Sequence, residues 1–483
     1  MPEEKPPEKA AVRRRRRRRR RRPADSRPPQ DVNADSEAPA ASDESSSETV
    51  VAEGPSRPTR QKSKSEGRRP RRESRSEDRS DAREPREARA PRAAREPREE
   101  RRPEKREEQV EVSGIIEIRK DGTGYLRRFE NDLAERKDDP VVPVAMVRKF
   151  GLRNGMLLVG KAWPGRGSQG ARMDFLESID GLDLKERSKA PGFKKLTVID
   201  PDFHYELGTA KHEHQLSMRI LDLLAPIGRG QRGLLVAPPR TGKTTFLQGI
   251  AQSLEELYPD VHLMVLLIDE RPEEATYWRR SVKNGEVYVS TMDEQPKNHV
   301  RLAELVQFRA ERLVEQGKEV VILLDSITRL TRAFNNSVSG KNAKTMSGGL
   351  DSRVFQKPKS FFGCARNTED AGSLTILATA LVDTGSRMDQ VIYEEFKGTG
   401  NMEVTLDRSL ADRRVFPAIN ITATGTRKEE KLFTRQTMRK VNILRRVLSR
   451  MRPREAVEML IDRLAMYPSN REFLDAFSLD DVD

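Results

Sequence analysis

Residues 232–249 read RGLLVAPPRTGKTTFLQG, in which an apolar segment precedes a proline-rich turn and a second apolar segment follows a GKTT sequence. A strand, a loop and a helix in this order are typical of a phosphate-binding P-loop. Backbone N–H groups of such a loop and of the helix N-terminus converge on an anion. The segment therefore predicts an α/β nucleotide-binding domain, although Ala237 occupies the first loop position, where the general motif has glycine.

Two side chains of this loop are expected to carry the chemistry. Lys243 places a point charge where the β- and γ-phosphates lie, and the Thr244 hydroxyl is positioned to ligate Mg²⁺. A phosphate cradle alone does not hydrolyse a nucleotide. Hydrolysis also requires a carboxylate on the metal side and a group that activates water.

Two carboxylates follow apolar runs that are typical of buried parallel strands. Residues 319–325 read EVVILLD and end in Asp325, and residues 262–270 read HLMVLLIDE and end in Glu270. Ligands of open α/β sheets bind beyond the carboxyl ends of the strands, so we expect both side chains to lie near the P-loop. Asp325 is then the Walker B aspartate that helps to hold Mg²⁺, and Glu270 is the candidate general base.

Seven longer segments resemble a known family: APPRTGKT, LIDERPEE, VILLDSITRL, FFGCARN, LVDTGSRMDQVIYEEFKGTGNMEV, RRVFPAI and GTRKEE. They are similar to the motor domain of the Rho family of bacterial transcription termination factors. Its members are hexameric, RNA-dependent ATPases and 5′→3′ RNA helicases of the RecA type. The resemblance extends from about residue 111 to the C-terminus, and the Ala237-Pro238-Pro239 opening matches the form of the P-loop in this family.

The resemblance implies roles for individual residues. Glu270 and Asp325 correspond to catalytic carboxylates. Arg427 in GTRKEE corresponds to an arginine finger that reaches the nucleotide of a neighbouring subunit, and Arg414 corresponds to a second interface arginine. Phe416 corresponds to an aromatic residue that stacks on adenine. The residues expected to bind ATP are Arg240, Thr241, Gly242, Lys243, Thr244, Thr245, Arg271 and Phe416.

A secondary RNA site is implied on two loops that line the central hole of the ring. The first loop, residues 336–350, is polar and rich in glycine and serine, which is typical of a mobile segment. Lys344 is its expected RNA contact, with Lys341 as the competing candidate, since the loop is about one residue longer than the common form. The second loop, residues 383–387, carries Arg387 at the corresponding basic position.

Residues 111–185 contain five short apolar segments separated by turns: VSGIIEI, TGYLRRF, VVPVAMV, MLLVGKAW and RMDFLESI. Five short strands in this length indicate a small β-barrel of the OB type. The resemblance agrees, because the family carries its primary, pyrimidine-preferring RNA site on such a barrel. The barrel residues expected to contact RNA are Tyr125, Arg127, Arg148, Lys149 and Arg172.

The predicted barrel departs from the family pattern at its aromatic positions. Thr123, Val141 and Met173 stand where the family has aromatic residues. Stacking of a base on an aromatic side chain contributes about 1–3 kcal/mol. We therefore expect the barrel to bind RNA weakly and with a relaxed base preference.

Residues 1–110 contain no aromatic residue and include ten consecutive arginines from Arg13 to Arg22. This segment has 33 basic and 24 acidic residues, and it cannot bury enough apolar surface to offset the entropy of ordering, so we expect a disordered arm. Three roles remain open for it: an RNA tether that acts by counterion release, a driver of condensates with RNA, and a solvated tail.

Composition sets the remaining limits. Residues 186–215 are polar and without periodicity, which suits a linker, and residues 216–483 form the predicted RecA-like motor. Apolar residues at helical spacing from Lys431 to Ala476 predict a helical C-terminal cap. Cys364 is the single cysteine, which excludes an internal disulfide and fits a reducing cytoplasm. No apolar run of 18 residues occurs, so we expect no membrane partner.

We therefore expect a homohexameric ring that hydrolyses ATP with Mg²⁺, moves along single-stranded nascent RNA and terminates transcription, with RNA polymerase and elongation factors as further candidate partners. Two other classes of protein compete with this interpretation. A RecA-type rotary ATPase subunit shares the fold and an arginine finger, but it does not share the basic loops and the barrel. A non-hydrolytic RNA-binding protein would not need Lys243, Glu270, Asp325 and Arg427 together.

Overall fold

The computed structural model of this chain describes residues 108–165, 167, 169–185, 191–338 and 353–476. The arginine-rich arm up to residue 107 and the candidate RNA contacts Lys341 and Lys344 lie outside these residues. Within the described part, a small β-barrel precedes a larger α/β domain, and the two pack against each other. The predicted order of a barrel, a P-loop α/β domain and a helical C-terminal region is confirmed.

The barrel begins at the first described residues and encloses its own apolar core. Its sheet has the order β3-β2-β1-β4-β5-β6, and a further pairing between β3 and β5 closes the barrel. Alternate residues of the long strands point inward, among them Ile116, Leu126, Leu158 and Leu176. The elements are β1 Val110–Ile118, β2 Gly124–Arg127, β3 Val141–Val142, α1 Val144–Phe150, β4 Leu157–Trp163, β5 Arg172–Ile179 and β6 Leu182–Asp183.

The third predicted strand, VVPVAMV, is wrong for most of its length. Only Val141 and Val142 pair with neighbouring strands, and residues 144–150 form the helix α1. Pro143 stands between the two elements as the residue that caps the helix. Because proline has no N–H to donate to a ladder and its φ suits the start of a helix, the strand ends there.

Residues 191–215, which the sequence predicts to be linker, contain short elements that pack on the second domain. Phe193, Leu196, Tyr205 and Leu207 are each at most 7% exposed. Their apolar positions follow no period, so sequence periodicity gave no sign of this burial. The elements are 3₁₀ turns at 193–195 and 207–209 and the strands β7 Val198–Ile199 and β8 His204–Tyr205.

The second domain is built on a seven-stranded sheet of order β12-β11-β13-β15-β10-β16-β17, parallel except for the last pair. Both faces are buried, which explains the continuous apolar runs of the sequence. In the strand that ends in Asp325, Val321 and Leu323 face one cluster of buried residues, and Ile322 and Leu324 face the other. The strands are β9 Ile227–Gly228, which pairs with β8, and β10 Arg232–Ala237, β11 His262–Glu270, β12 Glu286–Thr291, β13 Glu319–Asp325, β14 Asn367–Thr368, β15 Ser373–Leu381, β16 Met402–Thr405 and β17 Gly425–Thr426.

Helices cover both faces of this sheet. The predicted C-terminal helical cap is confirmed, and it places Val441, Leu444 and Leu460 in the same cluster as the first face of the sheet. None of the helices in the described ranges is long and apolar enough to cross a membrane. The helices are α2 Gln215–Leu224, α3 Lys243–Leu257, α4 Pro272–Ser281, α5 Pro296–Glu315, α6 Ile327–Val338, α7 Gln356–Gly363, α8 Arg387–Lys397, α9 Arg408–Asp412, α10 Arg435–Ser449, α11 Pro453–Ala465 and α12 Asn470–Asp475.

The barrel docks mainly on helix α5. Ile115 and Leu133 of the barrel belong to the same buried cluster as Leu302 of this helix. The two backbones approach so closely that a Cβ added at Gly155 would lie 2.3 Å from the carbonyl carbon of Phe308. Gly155 also has a φ of +84°, so the position requires glycine for two independent reasons.

Arginine–carboxylate pairs connect the two domains around this apolar contact. Arg153 of the barrel donates to both carboxylate oxygens of Glu315, at 3.0 and 2.5 Å. In the opposite direction, Arg309 donates to Asp180 at 2.5 Å, and both side chains of this pair are at most 6% exposed. Further pairs join Arg301 to Glu117 at 3.1 Å and Arg279 to Asp132 at 2.6 Å.

We predict that Asp180→Asn lowers the free energy of unfolding by about 3 kcal/mol, because removing one partner leaves the Arg309 charge buried and uncompensated. Asparagine tolerates the left-handed backbone of this residue (φ +56°), so the change isolates the charge. Equilibrium urea unfolding measures the effect. Arg454→Ala is the control, since its pair with Glu458 is largely exposed and should change stability by less than about 1 kcal/mol. Equal effects of the two variants would contradict the prediction.

Candidate active site

The P-loop lies between β10 and α3, as the sequence predicts. Thr241 Oγ1 donates to the Pro238 carbonyl at 2.7 Å, which closes the loop on itself. Arg240 and Gly242 both adopt positive φ angles, +66° and +86°. Lys243 is the first residue of α3, so the loop presents the N-terminus of a 15-residue helix. Loop amides and the helix dipole together favour an anion here.

Lys243 and Asp325 form the central ion pair of the site. The lysine Nζ lies 2.6 Å from Asp325 Oδ1 and 3.8 Å from Glu270 Oε2. Thr379 lies on β15, between β13 and β10 in the sheet. Its Oγ1 donates to the same Asp325 oxygen at 2.7 Å. The carboxyl ends of β11 and β13 therefore meet the P-loop at one edge of the sheet, as the strand pattern predicts.

Glu270 is buried, and its pKa is raised by its surroundings. It is 2% exposed, and burial together with the nearby Asp325 charge raises its pKa to about 7, although Lys243 and Arg329 act in the opposite direction. A carboxylate with a pKa near the operating pH is an efficient general base. Arg329 lies 3.4 Å from Glu270 Oε1 and also donates to the Asp269 carbonyl, so it fixes the orientation of the glutamate.

The oxygens around this pair suit a hard divalent cation. Carboxylate oxygens of Glu270, Glu274 and Asp325 lie within 4.8 Å of one another, and the Thr244 hydroxyl donates to Glu274 at 3.4 Å. Glu270 Oε2 and Asp325 Oδ2 are buried without a hydrogen-bond partner among the described residues. Mg²⁺ prefers oxygen ligands of this type, so the predicted ligands Thr244 and Asp325 fit the ion and Glu274 joins them.

The remaining predicted nucleotide contacts surround the loop. Phe416 is 47% exposed, and a Cβ added at Gly242 would lie 3.7 Å from its ring, which places the ring over the P-loop. Arg414 is exposed on the same turn. Thr245 is exposed in the first turn of α3, and Arg271 is exposed at the start of α4. All four side chains are available to a ligand.

Arg427 lies near the amino-terminal end of the parallel strands, whereas the P-loop lies at their carboxyl end. It follows β17, whose Thr426 pairs with Met402, and Met402 pairs with Gly233 near the start of β10. The Arg427 N–H donates to the Asn401 carbonyl and the Asn401 N–H to the Arg232 carbonyl, so Arg427 is level with Arg232. Ala237, where the P-loop begins, is five residues farther along β10, about 17 Å away at the usual rise per residue. Arg427 is exposed and faces a cavity of about 290 Å³ beside Lys397 and Glu403. It therefore does not reach the nucleotide site of its own chain.

The second predicted RNA loop is braced by a buried carboxylate. Arg387 is exposed at the first position of α8. Asp389, which is 1% exposed, receives hydrogen bonds from Thr384 Oγ1 at 2.6 Å and from Arg332 of α6 at 2.8 and 2.5 Å. The first predicted loop follows α6 in the sequence. The Arg332–Asp389 contact therefore connects the helix before the first loop with the helix that follows the second.

The predicted RNA contacts of the barrel separate into two groups. Tyr125 is half-buried, and Arg148, Lys149 and Arg172 are exposed, so all four are accessible. Arg127 differs from the expectation, because only 1% of it is exposed. It donates to Glu117 at 2.6 Å and to the equally buried Asp139 at 2.5 Å, so it holds the barrel together and is not available to RNA.

Three residues of the candidate active site were missed by sequence reasoning. Glu274 lies four residues after Glu270 in the first turn of α4, where acidic residues are common because they interact favourably with the helix dipole. Arg329 follows the Walker B strand in the segment VILLDSITRL, but many surface arginines have a similar context. Thr379 gave the clearest signal, because it is a polar residue inside the apolar run of β15.

Two family comparisons match the two domains. The family described as "Rho termination factor, RNA-binding domain" matches residues 112–185. The family described as "ATP synthase alpha/beta family, nucleotide-binding domain" matches residues 217–425. The first match covers the barrel, and the second contains the P-loop and the carboxylates and ends two residues before Arg427. The second domain is therefore a nucleotide-binding domain of the ATPase type.

Proteins named transcription termination factor Rho are similar to this chain over most of its length. The transcription termination factor Rho of Aquifex aeolicus is 49% identical over 371 residues, which cover 76% of this chain and 84% of that protein. The Rho proteins of Pseudomonas aeruginosa and Escherichia coli K12 are each 48% identical, over 377 and 376 residues. These matches cover 77% of this chain and 89% and 88% of the two relatives.

We predict that Glu270→Gln slows ATP hydrolysis by about 10²- to 10⁴-fold, because the amide cannot accept a proton from water. Binding of a fluorescent ATP analogue should persist, since the P-loop contacts are unchanged. Steady-state hydrolysis at saturating ATP measures the effect. Glu273→Gln is the control, because Glu273 is an exposed carboxylate in the first turn of α4 and should leave the rate unaltered. A variant at Glu270 that hydrolyses ATP at the normal rate would exclude it as the base.

Proposed function

The chain belongs to the Rho family of transcription termination factors, and from this premise we propose that it is an RNA-dependent ATPase that moves 5′→3′ along nascent RNA as a homohexameric ring. The observation that carries the proposal is the position of two sets of residues. Lys243, Glu270 and Asp325 cluster at the carboxyl ends of the parallel strands, and Arg427 lies near their amino-terminal ends. Such a division supports catalysis between subunits. The single buried cysteine and the family membership support a cytoplasmic location.

The residues of one subunit divide the work of hydrolysis. Loop amides and Lys243 hold the phosphates, and Phe416 covers the P-loop where a base can stack. Mg²⁺, held by Thr244 and Asp325 with Glu274 nearby, would neutralise charge on the phosphate oxygens. Glu270 accepts the proton of the attacking water, and Arg329 keeps its carboxylate in place. Thr379 fixes Asp325 from the neighbouring strand.

The arginine finger is supplied by the neighbouring subunit. Arg427 lies too far from its own P-loop to contact the same nucleotide, but it is exposed at the surface where another copy would present its nucleotide. A finger that completes the site in trans stabilises the charge that develops on the γ-phosphate. Arg414, on the turn that carries Phe416, is the second arginine proposed to act at this joint.

RNA is proposed to contact the chain at two places. The barrel matches a family of RNA-binding domains, and its accessible residues Tyr125, Arg148, Lys149 and Arg172 form the proposed primary surface. Arg387 and the loop that contains Lys344 form the proposed secondary surface. The Arg332–Asp389 pair connects these loops to α6, which begins two residues after Asp325, so a change at the nucleotide is transmitted to the RNA contacts through a short, rigid path.

We predict that single-stranded RNA raises the ATPase rate of the full chain at least tenfold, because the motor is coupled to RNA in the proposed cycle. Hydrolysis is measured with and without poly(C), and Lys243→Ala should abolish the activity in both conditions. A chain that starts at Glu108 tests the arm, since loss of stimulation at physiological salt would assign RNA loading to the arginine-rich segment. An RNA-independent rate that Lys243→Ala abolishes would leave an ATPase but refute the RNA motor.

We predict that two inactive variants restore activity when mixed. Lys243→Ala retains its finger, and Arg427→Ala retains its P-loop, so mixed rings contain sites with both parts. After random exchange of equal amounts, half of the subunits have an intact P-loop and half have an intact Arg427. About a quarter of the interfaces therefore combine both parts. ATPase activity after subunit exchange measures recovery, and a mixture of Lys243→Ala with a chain that carries both substitutions is the control. No recovery would show that Arg427 does not act in trans.

A further inference from the structure

Trp163 is a large aromatic side chain on the barrel surface. It is the last residue of β4, and 44% of it is exposed. Among the described residues, its ring has no aromatic or cationic partner within contact distance. An indole combines a large apolar surface with a polar N–H, and such side chains are enriched at surfaces that bind a partner.

The strand register places Trp163 on the same surface as the proposed RNA contacts. Trp163 pairs with Arg172, Arg172 pairs with Val141, and Val141 pairs with Tyr125. Directly paired residues point to the same side of a sheet, so these four side chains form one row across the outside of the barrel. Val141, which occupies a position where an aromatic was expected, lies in the middle of this row.

The position within the fold also favours nucleic acid. OB barrels bind oligonucleotides on the face of their second and third strands and on the loop that joins strands four and five. Trp163 and Arg172 are the two residues that border this loop, the tryptophan before it and the arginine after it. An aromatic ring beside a guanidinium matches a base beside its phosphate.

Tyr125 alone provides a limited stacking surface, because arginine side chains already lie against its ring. The guanidinium carbon of Arg119 lies 4.2 Å from the centre of its ring, and that of the buried Arg127 lies 5.3 Å away. Trp163 is three strand spacings from Tyr125, about 14 Å along the barrel wall. That distance exceeds the roughly 3.4 Å between stacked neighbouring bases, so the two rings would hold different nucleotides.

We propose that Trp163 is a base-stacking platform of the RNA site, and that it replaces part of the aromatic surface missing at Thr123 and Val141, whereas Met173 is buried in the barrel core. The inference rests on the proposed function, since it assigns a further residue to the same RNA surface. Single-stranded RNA is the occupant, with one base on the indole and its phosphate at Arg172. Stacking on an indole tolerates any base, so this site accepts purines as well as pyrimidines.

Tryptophan fluorescence of the full chain tests the proposal directly. The chain has two tryptophans, and Trp278 is fully buried, so a change in emission on adding RNA reports on Trp163. Nonamers of oligocytidylate and oligoadenylate are the probes, at a salt concentration high enough to weaken purely electrostatic binding. Both should quench the emission. Trp163→Ala should lower the affinity roughly ten- to hundredfold, and Trp163→Phe should restore most of it.

Phe175 provides the matched control, because it is 56% exposed on the same barrel but pairs with Lys161, outside the row of Arg172 and Tyr125. Phe175→Ala should change the affinity less than threefold. The inference fails if the oligonucleotides bind and stimulate hydrolysis while the emission and the affinity of Trp163→Ala stay unchanged. It also fails if both alanine variants lose equal affinity. If RNA neither binds nor stimulates hydrolysis in the unaltered chain, the proposed function itself fails.

Discussion

Two buried carboxylates, Glu270 and Asp325, share one small volume, and the arrangement of the motor domain depends on how their charge is compensated. Each is at most 2% exposed, so burial of their charge is costly unless cations lie nearby. Lys243 lies within 3.8 Å of both, and Arg329 approaches from the other side. The same positive charge that compensates the pair is the charge that a polyphosphate requires. The lysine that stabilises the buried pair is therefore also the proposed phosphate ligand.

The sequence predicted the parts of the structure that depend on strand ends. Walker-type residues follow apolar runs, and parallel strands with buried faces leave little freedom in where such residues lie, so the positions of Glu270 and Asp325 could be predicted from one chain. The helix α1 was missed, because VVPVAMV has the composition of a strand and only Pro143 marks the change. Arg127 was misassigned for a different reason. Whether an arginine faces solvent or a buried Asp139 depends on a loop that returns to the barrel, which no local pattern encodes.

Helix α5 gives the molecule a rigid joint between its two domains. One side of the helix packs on the sheet that ends in the catalytic residues, and the other carries Arg301, Arg309 and Glu315 toward the barrel. Glu117 links the ion pairs inside the barrel to those between the domains, since Arg127 and Arg301 both donate to its Oε2 atom. Buried ion pairs of this kind contribute little net stability but penalise wrong pairings heavily. They fix the orientation of the barrel relative to the motor.

The location of Arg427 has a consequence for counting active sites. In the proposed arrangement each subunit carries the P-loop at one end of the parallel strands and the arginine finger at the other, so a complete site forms only where two subunits meet. A closed ring has as many complete sites as subunits, whereas a ring opened at one joint loses one of them. The cradle at the gap still has Lys243 and its carboxylates, but its finger is absent. In the proposed ring, opening one joint to admit RNA would therefore also silence one ATPase site.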